Sequence, residues 1–429
     1  MDRLTPVAVL VVLLLLHGAS SVVVSNWQPP PSTVDPATST SADPYRNCKD
    51  TCDVQDWGRY VVCTSQSVKG VPQACSFAKA LHLTNIDVPH VQAGQLREFR
   101  DLKYLYLANV TLSSGALDGL INLRFLQVDG RREGERGHRI LDNAFFRGTG
   151  SHLDAMSWSD YPIRGIAANA FARLPWTFYM YFENNRMRSM PCAALRNAVS
   201  LTTLYVIHNH IGYVPSHCFR RLDRLRYLSL KHNPLVVMGP LHGNSIQRLF
   251  LQHTQLKEIP PIFRVKNNYS TVDLSHNQIG YVHHTDFKRV DTVEHLYLRN
   301  NAIRSRITKR TFEAFTHCLV LNLSTNAIRR IHPRAFEALP SGAAVDTSNN
   351  TLRTGTRAEN LVRQPRSPRS TVHEDDVRAT APPYSTPSVY DRVAIVLLSL
   401  GGFLTVVLGA LCAYVYPNVY PTQCRWPRT

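Results

Sequence analysis

The chain has 429 residues, 48 Lys+Arg against 31 Asp+Glu, 9 Cys and 26 Pro, and is 44% hydrophobic. That apolar share supports a sizeable core and excludes a wholly disordered chain. A formal net charge of +17 points to acidic partners: glycosaminoglycans, anionic lipid surfaces or acidic proteins.

In chain order, the first feature is the apolar run 7–16, preceded by Arg3 and followed by Gly18, Ala19, Ser20, Ser21 and Ser25. It reads as a secretory signal, residues 1–25, cut after Ser20 or Ser25; an uncut signal anchor is the alternative. Export argues against nucleic acid as a partner. Residues 26–47 are rich in Pro, Ser and Thr and read as disordered. Next come Cys48, Cys52, Cys63 and Cys75. In an exported chain, four cysteines ahead of a repeat array read as a two-disulfide cap, residues 48–76, with three pairings open. A zinc site is the rival, but it lacks the CxxC spacing.

From 77 to 352 the chain repeats. Asn recurs at Asn185, Asn209, Asn233, Asn277, Asn301, Asn326 and Asn350, with Thr254 filling the long gap between Asn233 and Asn277. Around each rung the apolar residues keep fixed offsets, as in Leu201, Leu204, Val206, Ile211, Val214, Phe219 and Leu222. This is LxxLxLxxNxLxxL, the leucine-rich-repeat pattern. About twelve repeats follow, with the fourth apolar position running from Leu81 to Val345. The expected fold is an α/β solenoid, a leucine-rich-repeat horseshoe with a parallel β-sheet on its concave face, because no repeat can bury its apolar edge alone. The charged insertion 131–137, RREGERG, is expected as a surface loop.

Cys192 and Cys218 fall in adjacent repeats and are candidates for a third bridge, while Cys318 at the first apolar position reads as a buried free thiol. Residues 353–391 turn to Ser, Thr, Pro and charge, a flexible stalk. The 24 uncharged residues 393–416 are long enough to span a bilayer as one transmembrane helix. With Arg425 and Arg428 beyond it, the expectation is a type I cell-membrane protein with an extracellular ectodomain and a short cytoplasmic tail, 417–429. A lipid-anchor signal is the alternative. Such a tail is too short for a folded signalling module. Gly401, Thr405, Gly409 and Ala413 recur every four residues, a packing stripe suited to a dimer or co-receptor. Cys424 is a juxtamembrane candidate for palmitoylation, and Tyr416 to Val419 has the form of a weak endocytic signal.

No phosphate-binding glycine loop, HExxH, nucleophile elbow or cofactor motif occurs, so no catalysis, cofactor or metal is expected. The concave face carries Tyr104, Tyr106, Phe125, Tyr179, Tyr181, Tyr205, Tyr227, Phe250 and Tyr297, interleaved with Arg124, Arg226, Arg248 and His295. Aromatic and Arg side chains on one face have the composition of a protein-binding surface. Aromatics also simply suit strands. His208, His232, His253 and His276 occupy one repeat position in succession, either as a pH-sensitive or metal-binding rail or as an ordinary polar position before the Asn. Arg164, Arg188, Lys257, Arg304 and Arg329 share another position, with Arg306, Lys309, Arg310 and Arg330 nearby, and this basic edge suits heparan sulfate. Sequons occur at Asn109, Asn268, Asn322 and Asn349.

Over about residues 48–352 the chain resembles extracellular leucine-rich-repeat proteins of animals, the group that includes Toll ectodomains, Slit and chaoptin. The resemblance implies the pairings Cys48–Cys63 and Cys52–Cys75. The usual Cys-rich C-terminal cap and the TIR domain of Toll receptors are missing. The expected function is cell-surface protein recognition or adhesion through the concave face, acting by adhesion or as a co-receptor. The alternative is a glycosaminoglycan or matrix tether using the basic edge.

Overall fold

Each repeat contributes a short apolar–x–apolar stretch, and stretches stacked in register can share hydrogen bonds edge to edge. In the computed structural model, which describes residues 45–353 apart from 56–57, 65–69, 87–89, 131–138, 242–245 and 291, they form a single 14-stranded sheet among the described residues. The first pair, β1 (Asp53–Gln55) and β2 (Tyr60–Cys63), is antiparallel. From β2 onward the ladder is parallel, continuing into β3 (Ala80–Thr84) and ending at the strand Ala344–Asp346. The register locks one repeat onto the next: Leu81 pairs with Leu105, Leu105 with Leu126, and Leu126 with Met156.

Side chains alternate across this ladder. Leu81, Leu105, Leu126, Met156, Met180, Leu204 and Leu228 point inward and are at most 2% exposed. Behind them a phenylalanine spine fills the other wall, with Phe263–Phe287 centroids at 5.1 Å, Phe287–Phe312 at 5.9 Å and Phe312–Phe336 at 6.0 Å. The inward Asn side chains close the backbone accounts between turns. Asn209 Nδ2 donates to the Phe182 carbonyl at 3.1 Å and its Oδ1 accepts from the Met187 N–H at 3.3 Å. Asn233, Asn301 and Asn326 repeat the arrangement. At the gap in the Asn series, the Thr254 hydroxyl donates to Asn277 Oδ1, so Thr does keep that rung tied.

The cap differs from the pairing that the resemblance implies. The disulfides are Cys48–Cys75, with Cα atoms 5.1 Å apart, and Cys52–Cys63, with Cα atoms 4.5 Å apart. Local geometry decides this. Asp53 faces Val62 in the β1–β2 hairpin, which sets Cys52 opposite Cys63. The short helix α1 (Arg46–Lys49) instead carries Cys48 to the 3-10 turn Gln73–Cys75. The sulfurs of Cys48, Cys52 and Cys75 cluster because the two bridges pack together, and both bridges consume them. Ahead of the cap, Tyr45 packs its ring on Phe77 at 4.7 Å. A third bridge joins Cys192 to Cys218.

At the other end the last strand has the burial of an uncovered rung: Ala344 and Asp346 are exposed and Val345 is half-buried. Leu339, Val345 and Leu352 pack on the core there, and no disulfide covers it among the described residues. No helix among the described residues is long and apolar enough to cross a membrane. The signal 1–25, the leader up to 44, the insertion 131–137, the stalk beyond 353, the apolar run 393–416 and the tail 417–429 lie outside the described residues.

Candidate functional site

The open face of the sheet is built by the residues between the inward Leu positions. Register places Tyr104, Phe125, Ala155, Tyr179, Thr203, Tyr227 and Arg248 in one column. It places Tyr106, Gln127, Ser157, Tyr181, Tyr205, Ser229 and Phe250 in the next. Two aromatic groups result. Tyr104 stacks on Phe125 at 4.9 Å. Tyr179, Tyr205, Tyr227 and Phe250 form a staircase with centroid steps of 5.8, 4.8 and 5.1 Å. Between them lies the strand Ala155–Ser159, which presents only Ala155 and Ser157.

All nine aromatics stand on the expected face, but not all offer surface. Tyr181 is 4% and Tyr205 3% exposed, because each is walled in by its neighbours. Two hydroxyls of this face serve the protein: Tyr181 donates to Glu183 at 2.7 Å, and Tyr106 donates to Asp129 at 2.8 Å. Burial, then the facing Tyr227, push the Tyr205 hydroxyl far above its usual range, so it stays neutral. Tyr104, Phe125, Tyr179, Tyr227, Phe250 and Tyr297 remain half-buried. The Lys231 ammonium lies 5.0 Å from the Phe250 ring. The basic residues interleaved with them are partly committed: Arg124 pairs with Asp154 at 3.3 Å, and Arg226 donates to the Asp223 carbonyl. Glu183, 2% exposed, was not anticipated. Its place two residues after Tyr181 on the same strand face is the only signal the sequence offers.

The four histidines do form a column. Ring centroids are 4.0 Å apart for His208–His232, 4.5 Å for His232–His253 and 4.3 Å for His253–His276, with planes tilted by 7°, 7° and 17°. The backbone explains their alignment. This position has positive φ in the repeats on either side as well: 49°, 56°, 54° and 57° at the histidines, and similar values at Asn85, Asn109, Asp160, Asn184 and Asn300, though not at Gly130. Asn, Asp and His tolerate that conformation best among non-glycine residues. Asn300 continues the column, its amide 2.7 Å from His276 Nδ1.

On the basic edge, Arg164, Arg188, Lys257, Arg304 and Arg329 are all exposed, and none makes an ion pair among the described residues. The edge is not continuous. Gly212, Val236 and Gly280 occupy the same repeat position, and Tyr213, Val236, Val237 and Tyr281 expose 55%, 48%, 54% and 49% of their surface there. The dense part is the C-terminal end, where Arg304, Arg306, Lys309, Arg310, Arg329 and Arg330 are all exposed. Arg304 lies over the Tyr281 ring at 5.3 Å. Among the sequons, Asn268 and Asn349 are exposed; Asn109 donates to Asn85 in the positive-φ column, and Asn322 accepts from Ser324 on the open face. Cys318 is a buried thiol pushed up to about 11 by burial.

The leucine-rich-repeat family model matches residues 179–235 and 199–256. Among curated proteins the chain is similar to human (Homo sapiens) lumican, 25% identical over 252 residues, 52% of this chain and 72% of lumican. It is also similar to bovine (Bos taurus) keratocan, 26% identical over 162 residues, 36% of this chain and 44% of keratocan. Human podocan-like protein 1 matches at 24% over 281 residues, 64% of this chain and 48% of its own length. Two solved structures share the fold. Toll, from the Drosophila Toll–Spatzle complex, has a TM-score of 0.50 at 18% identity, over 65% of this chain and 44% of Toll. An internalin from Listeria monocytogenes has a TM-score of 0.50 at 13% identity, over 71% of this chain and 85% of the internalin. The chain carries leucine-rich repeats and resembles the small leucine-rich proteoglycans lumican and keratocan.

Proposed function

We propose that the protein is a matrix-facing tether that holds sulfated glycosaminoglycan, of the heparan sulfate type, on the basic edge of its solenoid. The observation that carries this reading is the exposed cluster Arg304, Arg306, Lys309, Arg310, Arg329 and Arg330. Adjacent rungs of a parallel sheet repeat at about 4.8 Å. A linear polyanion laid along the array therefore meets a cation on successive turns. Without internal carboxylate partners those cations keep their charge for a ligand, and binding is governed by salt. The resemblance to lumican and keratocan supports a place in the matrix. The apolar run 393–416 would hold the tether at the cell surface as a single-pass type I protein.

The test is heparin affinity of the ectodomain at rising salt. Wild type should lose affinity steeply with ionic strength, and a variant with Arg304→Ser, Arg306→Ser, Arg329→Ser and Arg330→Ser should elute much earlier. Equal elution of the two proteins would sink the proposal. A second reading, recognition of a protein on the open face, draws support from the half-buried staircase of Tyr179, Tyr227 and Phe250. The same experiment separates them. A Tyr179→Ala/Tyr227→Ala variant should bind heparin normally and lose only a protein partner.

A further inference from the structure

The backbone at the positive-φ position needs only a residue that tolerates it, and Asn meets that need at Asn85, Asn109, Asn184, Asn300 and Asn349. Four successive imidazoles exceed that need. Because φ is nearly the same at His208, His232, His253 and His276, their side chains leave the sheet in parallel. The rings stack face to face at 4.0 to 4.5 Å, with His208, His232 and His253 exposed.

We infer that this column is a binding site for a divalent transition metal, Cu²⁺ or Zn²⁺, in which two adjacent imidazoles hold each ion. Neutral imidazole offers one in-plane lone pair, and copper and zinc favour it. Two nitrogens on one tetrahedral ion lie about 3.3 Å apart, given a Zn–N bond of roughly 2.0–2.1 Å. Neighbouring rings stack with centroids 4.0 Å apart and planes nearly parallel, so their in-plane lone pairs do not converge as they stand, and the exposed side chains must rotate to aim both nitrogens at one ion. Rings two steps apart are too distant to share an ion, so the pairs are His208 with His232 and His253 with His276. The remaining coordination positions face solvent.

Second contacts fit the role. The Asn300 side-chain Nδ2 lies 2.7 Å from His276 Nδ1, and this contact holds the last ring of the column in place. The charged groups acting on the column are Lys231 and, at His253, Asp273.

The test compares two double variants that remove equal numbers of histidines from the full-length protein. His232→Asn/His253→Asn leaves no adjacent pair, whereas His208→Asn/His276→Asn leaves the pair His232–His253. Asn suits the backbone at all four positions, and thermal melts of each variant check the fold. Binding of Cu²⁺ alone is measured by calorimetry, with nitrogen ligands counted by electron paramagnetic resonance. The expected result is two ions on wild type and one on the outer double variant. The inner double variant should lose at least tenfold in affinity together with the two-nitrogen signal. Single His232→Asn should retain one ion through His253 and His276. Equal loss in the two double variants, or no loss in either, overturns the site, because scattered surface histidines would not depend on adjacency.

Discussion

At the scale of the residue, protonation decides which side chains the fold tolerates. His82 is pushed down to about 4 by burial, beside Tyr106 at 4.2 Å. His232 is pushed down to about 4 by burial and by His208, His253 and Lys231. A histidine whose folded pKa lies below its unfolded 6.5 binds its proton more readily in the unfolded chain. Its contribution is therefore complete above about pH 6.5 and is lost as pH falls toward 4. The expected outcome is a melting temperature that drops between those values by less in His82→Asn and His232→Asn than in wild type. Melts scanned over pH check it, and parallel curves for all three proteins would refute it. The tyrosines carry a similar lesson. Tyr205 faces the open side of the sheet, but at 3% exposed it is part of the wall rather than of the surface.

At the scale of the element, successive turns of the solenoid from Asn185 onward are joined by one inward side chain, Asn at every rung except Thr254. Asn233 Nδ2 donates to the Val206, Leu230 and Lys231 carbonyls, while Oδ1 accepts from the Ile211 N–H. Asn233→Ala would leave buried backbone groups unpaired, at roughly 1–3 kcal/mol for each. We expect a loss of about 2–4 kcal/mol in urea unfolding, and a smaller loss for Asn233→Thr, because Thr254 already fills this role one rung on. A change within about 0.5 kcal/mol for Asn233→Ala would mean that water replaces the ladder bonds at little cost. The hairpin of β1 and β2 shows the same dominance of local geometry, since its register alone places Cys63 opposite Cys52.

At the scale of the whole molecule, a parallel array buries its core only by adding turns, and its two ends are solved differently. Two disulfides close the first end; the last strand keeps exposed residues at both its ends. The positive charge concentrates toward that last end, at Arg304 to Arg330. The uncharged segment 393–416 leads to one further expectation. The full chain should stay with membranes through alkaline carbonate extraction, and a chain stopped at 390 should enter the medium. A full chain found in the medium would show that the segment does not span.

The repeat, its strand phase and its ladder were legible in the sequence because a solenoid writes each turn in consecutive residues: Leu204, Val206 and Asn209 take their places from neighbours one repeat away. The histidine column was legible for the same reason, since equal offsets in adjacent turns must stack. Three features needed the tertiary structure. The cap pairing depends on how a hairpin and a helix fold back before the repeats begin, where no period applies. The burial of Tyr181 and Tyr205 depends on the size of side chains in adjoining columns. The break in the basic edge depends on which turns contribute Gly212, Val236 and Gly280 to the position that elsewhere holds Arg or Lys. Periodicity fixes where a side chain points, but how much of it a partner can reach is set by what its neighbours on other turns leave uncovered.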